Sequence, residues 1–153
     1  MAPQTKPVRG QTLLIVEDDI LPAMAIQDEL EDAGYRVLDL TGRHQEALSA
    51  ARIHKPDLAL VNIELQGRDD GIALAGELQA MGIPTLFISG QVSRAMSMRT
   101  VAIGSLPKPY RAADVVVAVD YLLAHLRGDE TRPRPDGLEV FDRAADAAAP
   151  GLA

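Results

Sequence analysis

The 153-residue sequence predicts an α/β fold, a doubly wound five-stranded parallel sheet in the order 2-1-3-4-5. Three observations predict it. Short apolar runs bounded by polar residues recur at 13–16, 36–40, 58–63, 84–89 and 101–106, as expected of strands buried on both faces. Segments with apolar residues at helical spacing alternate with them. Strict strand–helix alternation demands parallel strands with right-handed crossovers, and the flavodoxin-like order suits such a sheet best.

The elements follow in order. Leu13-Leu14-Ile15-Val16 is the first strand and runs straight into Glu17-Asp18-Asp19. Pro22 suits the first turn of a helix. Ala23, Ile26, Leu30 and Ala33 then line one face, opposite Asp28, Glu29, Glu31 and Asp32. Gly34 closes that helix. The second strand is 36–40, and Thr41-Gly42 turns the chain. A helix over 43–53 has Ala47, Leu48 and Ala51 on one face, and Lys55-Pro56 stops it, because a residue before proline avoids the helical region. The third strand ends in a polar residue, Asn62. Gly71 opens a helix carrying Ile72, Ala75, Leu78 and Met81, and Gly82 ends it. Leu86-Phe87-Ile88 forms the core of strand four. A weak helix over 91–100 offers only Val92, Ala95, Met96 and Met98 as apolar residues. Strand five is followed by Lys108-Pro109. A strong helix over 112–127 carries Val115, Val119, Leu122 and Leu126 on one stripe.

This organisation reads as a flexible N-terminus over 1–10, one domain over 11–127 and a disordered tail over 128–153. In the tail Arg132-Pro133-Arg134-Pro135 has the composition of an extended linker, and Leu138, Val140 and Phe141 form one small apolar cluster. The net charge of -7 argues against a nucleic-acid footprint, which needs a basic face. The absence of cysteine rules out disulfides and thiolate metal sites. Lys6 and Arg9 are not followed by the apolar region of a signal peptide, and no run is long enough to span a membrane. A cytoplasmic protein is the expectation.

In such sheets, ligands gather at the carboxyl ends of the strands. That rule selects Glu17 and Asp18, Asn62, Ser89 and Lys108. Adjacent carboxylates suit Mg²⁺, a hard cation that takes oxygen ligands; the acidic run reads equally as a helix start, and Asp19 itself reads better as the cap of that helix. The Ser89 hydroxyl suits a phosphoryl oxygen, although alone it reads as a turn residue. Lys108 supplies a point charge for phosphate, although alone it reads as a surface lysine before a turn. Their fall on strands one, three, four and five is a poor match to coincidence.

The motifs LLIVEDD, PDLALVNIEL with DGIALA, PTLFISG and LPKPY together resemble the receiver domain of bacterial two-component response regulators, CheY-like in fold, over 11–127. The resemblance implies a signalling protein rather than an enzyme. It implies Mg²⁺ held by Glu17, Asp18, the residue at position 62 and the backbone carbonyl of Glu64. Ser89 and Lys108 would act on the phosphoryl group, with the Lys108–Pro109 bond in the cis form. A histidine kinase or histidine phosphotransferase is the implied partner. Two departures stand out. The family accepts phosphate on an Asp where this chain has Asn62, and an amide is not a usable nucleophile for acyl phosphate formation. Its carbonyl oxygen can still face a metal, but a unit charge pair at about 4 Å is worth about 4 kcal/mol at an effective dielectric near 20, so Mg²⁺ binding is expected to weaken. The family's switch aromatic is replaced by Ser105. Asp69 and Asp70 read as a solvated turn rather than substitute acceptors.

No DNA-binding module follows Arg127, so output is expected through protein contacts, with a homodimer through the last helix and strand five as one such contact. The rival reading is a phosphorylation-independent pseudoreceiver, an adaptor or decoy that docks on a histidine kinase. A small nucleotide- or flavin-binding protein is a third reading, disfavoured because the turn over 17–22 is acidic and lacks glycine. His44, His54 and His125 share no ligand spacing.

Overall fold

The computed structural model describes residues 10–65, 70–89 and 99–141. Its strands are β1 (Thr12–Val16), β2 (Arg36–Val37), β3 (Leu58–Asn62), β4 (Thr85–Ser89), β5 (Gly104–Pro107) and β6 (Glu139–Val140). Its helices are α1 (Ile20–Asp32), α2 (His44–His54), α3 (Asp70–Ala80) and α4 (Ala112–Leu126). The sheet order is β2-β1-β3-β4-β5-β6, the expected parallel order with a sixth strand added. Only β6 runs antiparallel to its neighbour.

Successive side chains of a strand point to opposite faces, and here both faces are apolar. Leu13, Ile15, Leu58, Leu60, Leu86 and Ile88 pack with Ala23, Ile26 and Leu30 of α1 and Val115, Val119 and Leu122 of α4. Leu14, Val16, Ala59, Val61 and Phe87 face the other way, against Ala47, Leu48 and Ala51 of α2 and Leu74, Ala75 and Leu78 of α3. Each fully buried large apolar side chain contributes about 1.5–3 kcal/mol relative to exposure, so both layers hold the sheet rigid from two sides. The apolar stripe of α4 runs out at its end, where Leu126 is exposed. No described helix is long and apolar enough to cross a membrane.

Several boundaries differ from the sequence expectation. The second strand keeps only two paired residues; beyond it the chain stays close to β1 through Leu38 N–H on the Leu13 carbonyl at 3.0 Å and a bridge between Val16 and Thr41. Residues 99–101 are helical, so β5 starts later than expected. The rest of the weak helix at 91–100, with Met96 and Met98, lies outside the described residues.

The expected disorder of the tail is corrected for residues 128–141. Gly128 and Gly137 take positive φ of 85° and 84°, which reverses the chain twice. Between them the Asp129 carboxylate accepts from the Thr131 N–H at 3.0 Å and hydroxyl at 2.6 Å. Leu138 and Phe141 are then buried, Leu138 in the α1/α4 layer and Phe141 in the α2/α3 layer. Burial of these two large apolar side chains works against the entropy cost of ordering the segment. Residues 142–153, and the expected flexible N-terminus apart from Gly10, lie outside the described residues.

Gly71 brings α3 against the exit of β3. Its N–H donates to the Ile63 carbonyl at 3.1 Å, and a Cβ there would fall 2.4 Å from the Asn62 carbonyl oxygen and 2.6 Å from Ile63 Cα. Backbone atoms cannot give way as a side-chain tip would. Gly71→Ala is expected to cost about 1–3 kcal/mol through overpacking, read as a lower urea midpoint, whereas Gly82→Ala, which meets no atom within 4 Å, changes stability only through its positive φ.

Candidate functional site

The pairing register brings the polar strand ends together. Val16 lies opposite Val61, Asn62 opposite Ile88 and Ser89 opposite Pro107. Glu17, Asn62, Ser89 and Lys108 therefore leave the sheet along one edge, the carboxyl edge that the sequence selects. Ser89 contributes its backbone to that edge; its side chain lies outside the described residues, as does Asp69 and the side chain of Asp70.

Glu17 is held at its backbone by an N–H donated to the Thr41 carbonyl at 2.9 Å. The loop carrying Thr41 comes this close because residue 42 is glycine: a Cβ there would lie 2.5 Å from Asp18 Cα. Asp19 belongs to the start of α1. Its backbone is extended, φ -92° and ψ 111°, and its side chain accepts from the Leu21 N–H, as an N-cap should. Its own N–H donates to Glu17 Oε2 at 3.0 Å. Of the three acidic residues in a row, Glu17 is the buried one, only 7% exposed.

Asn62 is equally buried and fully engaged. Its Nδ2 donates to Glu17 Oε2 at 3.1 Å and to the Glu64 carbonyl at 3.3 Å. Its Oδ1 accepts from the Glu64 N–H at 3.4 Å. Two acceptors on one side and a donor on the other fix which way round the amide sits, since exchanging N and O would set oxygen against oxygen twice.

Burial pushes the Glu17 carboxyl above the usual carboxylate range. The Asp19 N–H, the Lys108 ammonium and the Asn62 amide pull it back, and a hydrogen bond with Asp18 pushes it up again. Lys108 thus sits within electrostatic reach of the acid, and its bond to Pro109 is cis. Tyr110, partly buried against the α1/α4 layer, feels the charge of this edge. Burial pushes its phenol up, and the Glu17 and Asp19 carboxylates push it further. The tyrosine stands in the quoted motif LPKPY, but nothing in the sequence alone aims its side chain at Glu17. Thr41 and Gly42 were also readable only as a turn.

The donor set does not fit a divalent cation as it stands. Mg²⁺ needs oxygen ligands in near-octahedral array. Here the Glu17 carboxylate and Glu64 carbonyl oxygens, two of the implied ligands, already accept N–H groups from Asn62, which turns nitrogen towards them. Among the described residues no group of three or more His, Asp or Glu side chains is placed to hold a metal ion. Outside the site, His44 meets Glu77 at 2.6 Å, and His125 meets Glu130 at 2.7 Å and stacks on Tyr121. Neither histidine approaches the carboxyl edge through these contacts. Ser105 is buried within β5, opposite Phe87 and Glu139.

Comparison with known proteins agrees with this fold. The family model of the response regulator receiver domain matches residues 13–120. The chain belongs to that family, whose members are signalling proteins. It is 30% identical over 119 residues to the transcriptional regulatory protein PdtaR of Mycobacterium tuberculosis, an alignment covering 75% of this chain and 58% of the relative. The chain thus matches a little over half of that longer protein. Among solved structures, the signal receiver domain of a modulated diguanylate cyclase from Desulfovibrio desulfuricans G20 is 31% identical, with a TM-score of 0.68 over 78% of this chain and 98% of that one. A CheY-like receiver domain protein from Methanospirillum hungatei JF-1 shares the fold at 22% identity, with a TM-score of 0.70 over 78% of this chain and 98% of that one.

Removing the Asn62 amide leaves a buried carboxylate and a carbonyl without their donor. Asn62→Ala is expected to lower stability by about 1.5–3 kcal/mol, the range for hydrogen bonds to charged groups. Chemical denaturation at neutral pH checks this, and an unchanged midpoint would show that water replaces the amide at no cost.

Proposed function

We propose that this chain is a receiver-domain signalling protein that works by binding its partners without taking up a phosphoryl group at position 62. The observation that carries the reading is the pair of Asn62 Nδ2 bonds to Glu17 and to the Glu64 carbonyl. Receiver domains generally bind Mg²⁺; in this chain the amide takes up ligand atoms that the ion would use, so Mg²⁺ binds weakly. Asn62 also lacks the carboxylate that attacks phosphorus in an acyl phosphate-forming step. Lys108 retains its role as the positive charge at the edge, here as a partner to Glu17. Ser89, in the position of the family's hydroxyl, has no phosphoryl group to follow. Ser105 removes the aromatic whose rotation would report one.

Output then depends on surface. Ile20, Leu21 and Met24 are exposed on the first turns of α1, beside the acidic edge. Large apolar side chains exposed close together in sequence beside such an edge suit a protein contact. The partner class that fits is a histidine kinase or histidine phosphotransferase, which the chain would occupy as an adaptor or decoy. The net charge of -7 weighs against nucleic acid as a direct ligand.

Intact mass after treatment with a small-molecule phosphodonor and Mg²⁺ tests the reading. The native chain is expected to gain nothing. Asn62→Asp is expected to gain one phosphoryl group, as the restored carboxylate oxygen attacks phosphorus and the donor's leaving group departs. Phosphate on the native chain would overturn the proposal.

A further inference from the structure

The outer edge of β5 is a strand-docking site whose occupant comes from the chain itself. Gly104 pairs with Val140 and Ser105 with Glu139, antiparallel, and the Phe141 N–H donates to the Ile103 carbonyl at 2.9 Å. Leu138 and Phe141 are three residues apart. That odd spacing sends their side chains to opposite faces of the strand, one into each apolar layer. The Arg99 guanidinium lies over the Phe141 ring, 5.1 Å from its centroid, and covers the second anchor. Gly104 is what admits the strand: a Cβ there would lie 2.8 Å from the Glu139 carbonyl oxygen. The edge therefore selects an extended segment with two apolar anchors flanking two residues, laid against a glycine.

The attachment is slight by comparison with the rest of the sheet. Its ladder has two paired positions, and the lead-in over 129–137 is largely exposed, with glycines of positive φ at 128 and 137 and prolines at 133 and 135. Short ladders with solvated approaches open locally without global unfolding. An open strand edge is also a ready template for another chain. We propose that β6 is a detachable plug of this edge, and that the partner the emptied edge takes is residues 138–141 of a second copy. Exchange remakes the same contacts in trans, which makes it a low-cost route to a dimer. The homodimer expected at strand five and the last helix then requires release of β6, because β6 already occupies the strand-five edge. This inference is independent of the reading of Asn62.

The test uses the full chain and a fluorescent peptide of residues 136–141. In L138D/F141D the cis plug is disabled, and saturable peptide binding is expected by fluorescence anisotropy. The wild-type chain, whose own segment competes at high effective concentration, is expected to bind at least about tenfold more weakly. Adding G104A to the double variant is expected to abolish binding, since the new Cβ meets the incoming backbone. Absence of binding to L138D/F141D while circular dichroism shows it folded would overturn the proposal, as would equal binding to both chains. If the double variant does not fold, hydrogen exchange on the wild type decides. The Phe141 amide is expected to exchange faster than the Ala59 amide, which bonds to Pro84 inside the sheet; equal rates would overturn the proposal.

Discussion

A carboxylate removed from water needs donors, and at the carboxyl edge of this sheet one of them is a side-chain amide from a neighbouring strand. An isolated buried charge is costly enough that a protein neutralises it or surrounds it. Glu17 is surrounded: by the Asp19 N–H, by the Asn62 amide and by the field of Lys108. The Asn62 bond is the one that crosses from β3 to the end of β1. It links two strand exits with a neutral group where related chains are expected to use an ion. Because the same nitrogen also reaches the Glu64 carbonyl, it shapes the first residues after β3 as well. The polar groups at this edge are thus bonded to one another.

The apolar layers make this small polar arrangement reproducible. β1 and β3 are buried along almost their whole length, so a one-residue slip would exchange two packed faces at once. With register fixed, Glu17 and Asn62 must emerge side by side. Two close backbone approaches complete the enclosure: Gly42 against Asp18, and Gly71 against Asn62 and Ile63. Neither glycine touches the amide with a side chain, and each acts through the absence of one.

The strand order and the identity of the edge were legible because both rest on periodicity. Apolar runs of strand length, helices between them and polar residues at the run ends suffice for the parallel order and for the convergence of Glu17, Asn62 and Lys108. The cap role of Asp19 was legible for the same reason, as local chemistry next to Pro22. What escaped the sequence was non-local. Nothing in a run of Arg, Pro and Asp says that Leu138 and Phe141 will find vacancies in two different layers across β5. The direction of the Asn62 amide depends on a carbonyl two residues later and a carboxylate forty-five residues earlier. The nearness of Tyr110 to Glu17 depends on how the chain turns after Lys108. The second strand is shorter than its apolar run because Leu38 and Leu40 are apolar to pack against the two layers, and past Val37 only single contacts to β1 continue.

The most direct measurement follows the side-chain amide signal of Asn62 by NMR in the nitrogen-labelled protein while Mg²⁺ is added. The expected result is a pair of hydrogen-bonded amide protons, protected from solvent, whose shifts stay where they are as the ion reaches millimolar levels. A saturable shift of that signal, with loss of its protection, would mean that the ion displaces the amide from Glu17, and the closed edge would be contradicted.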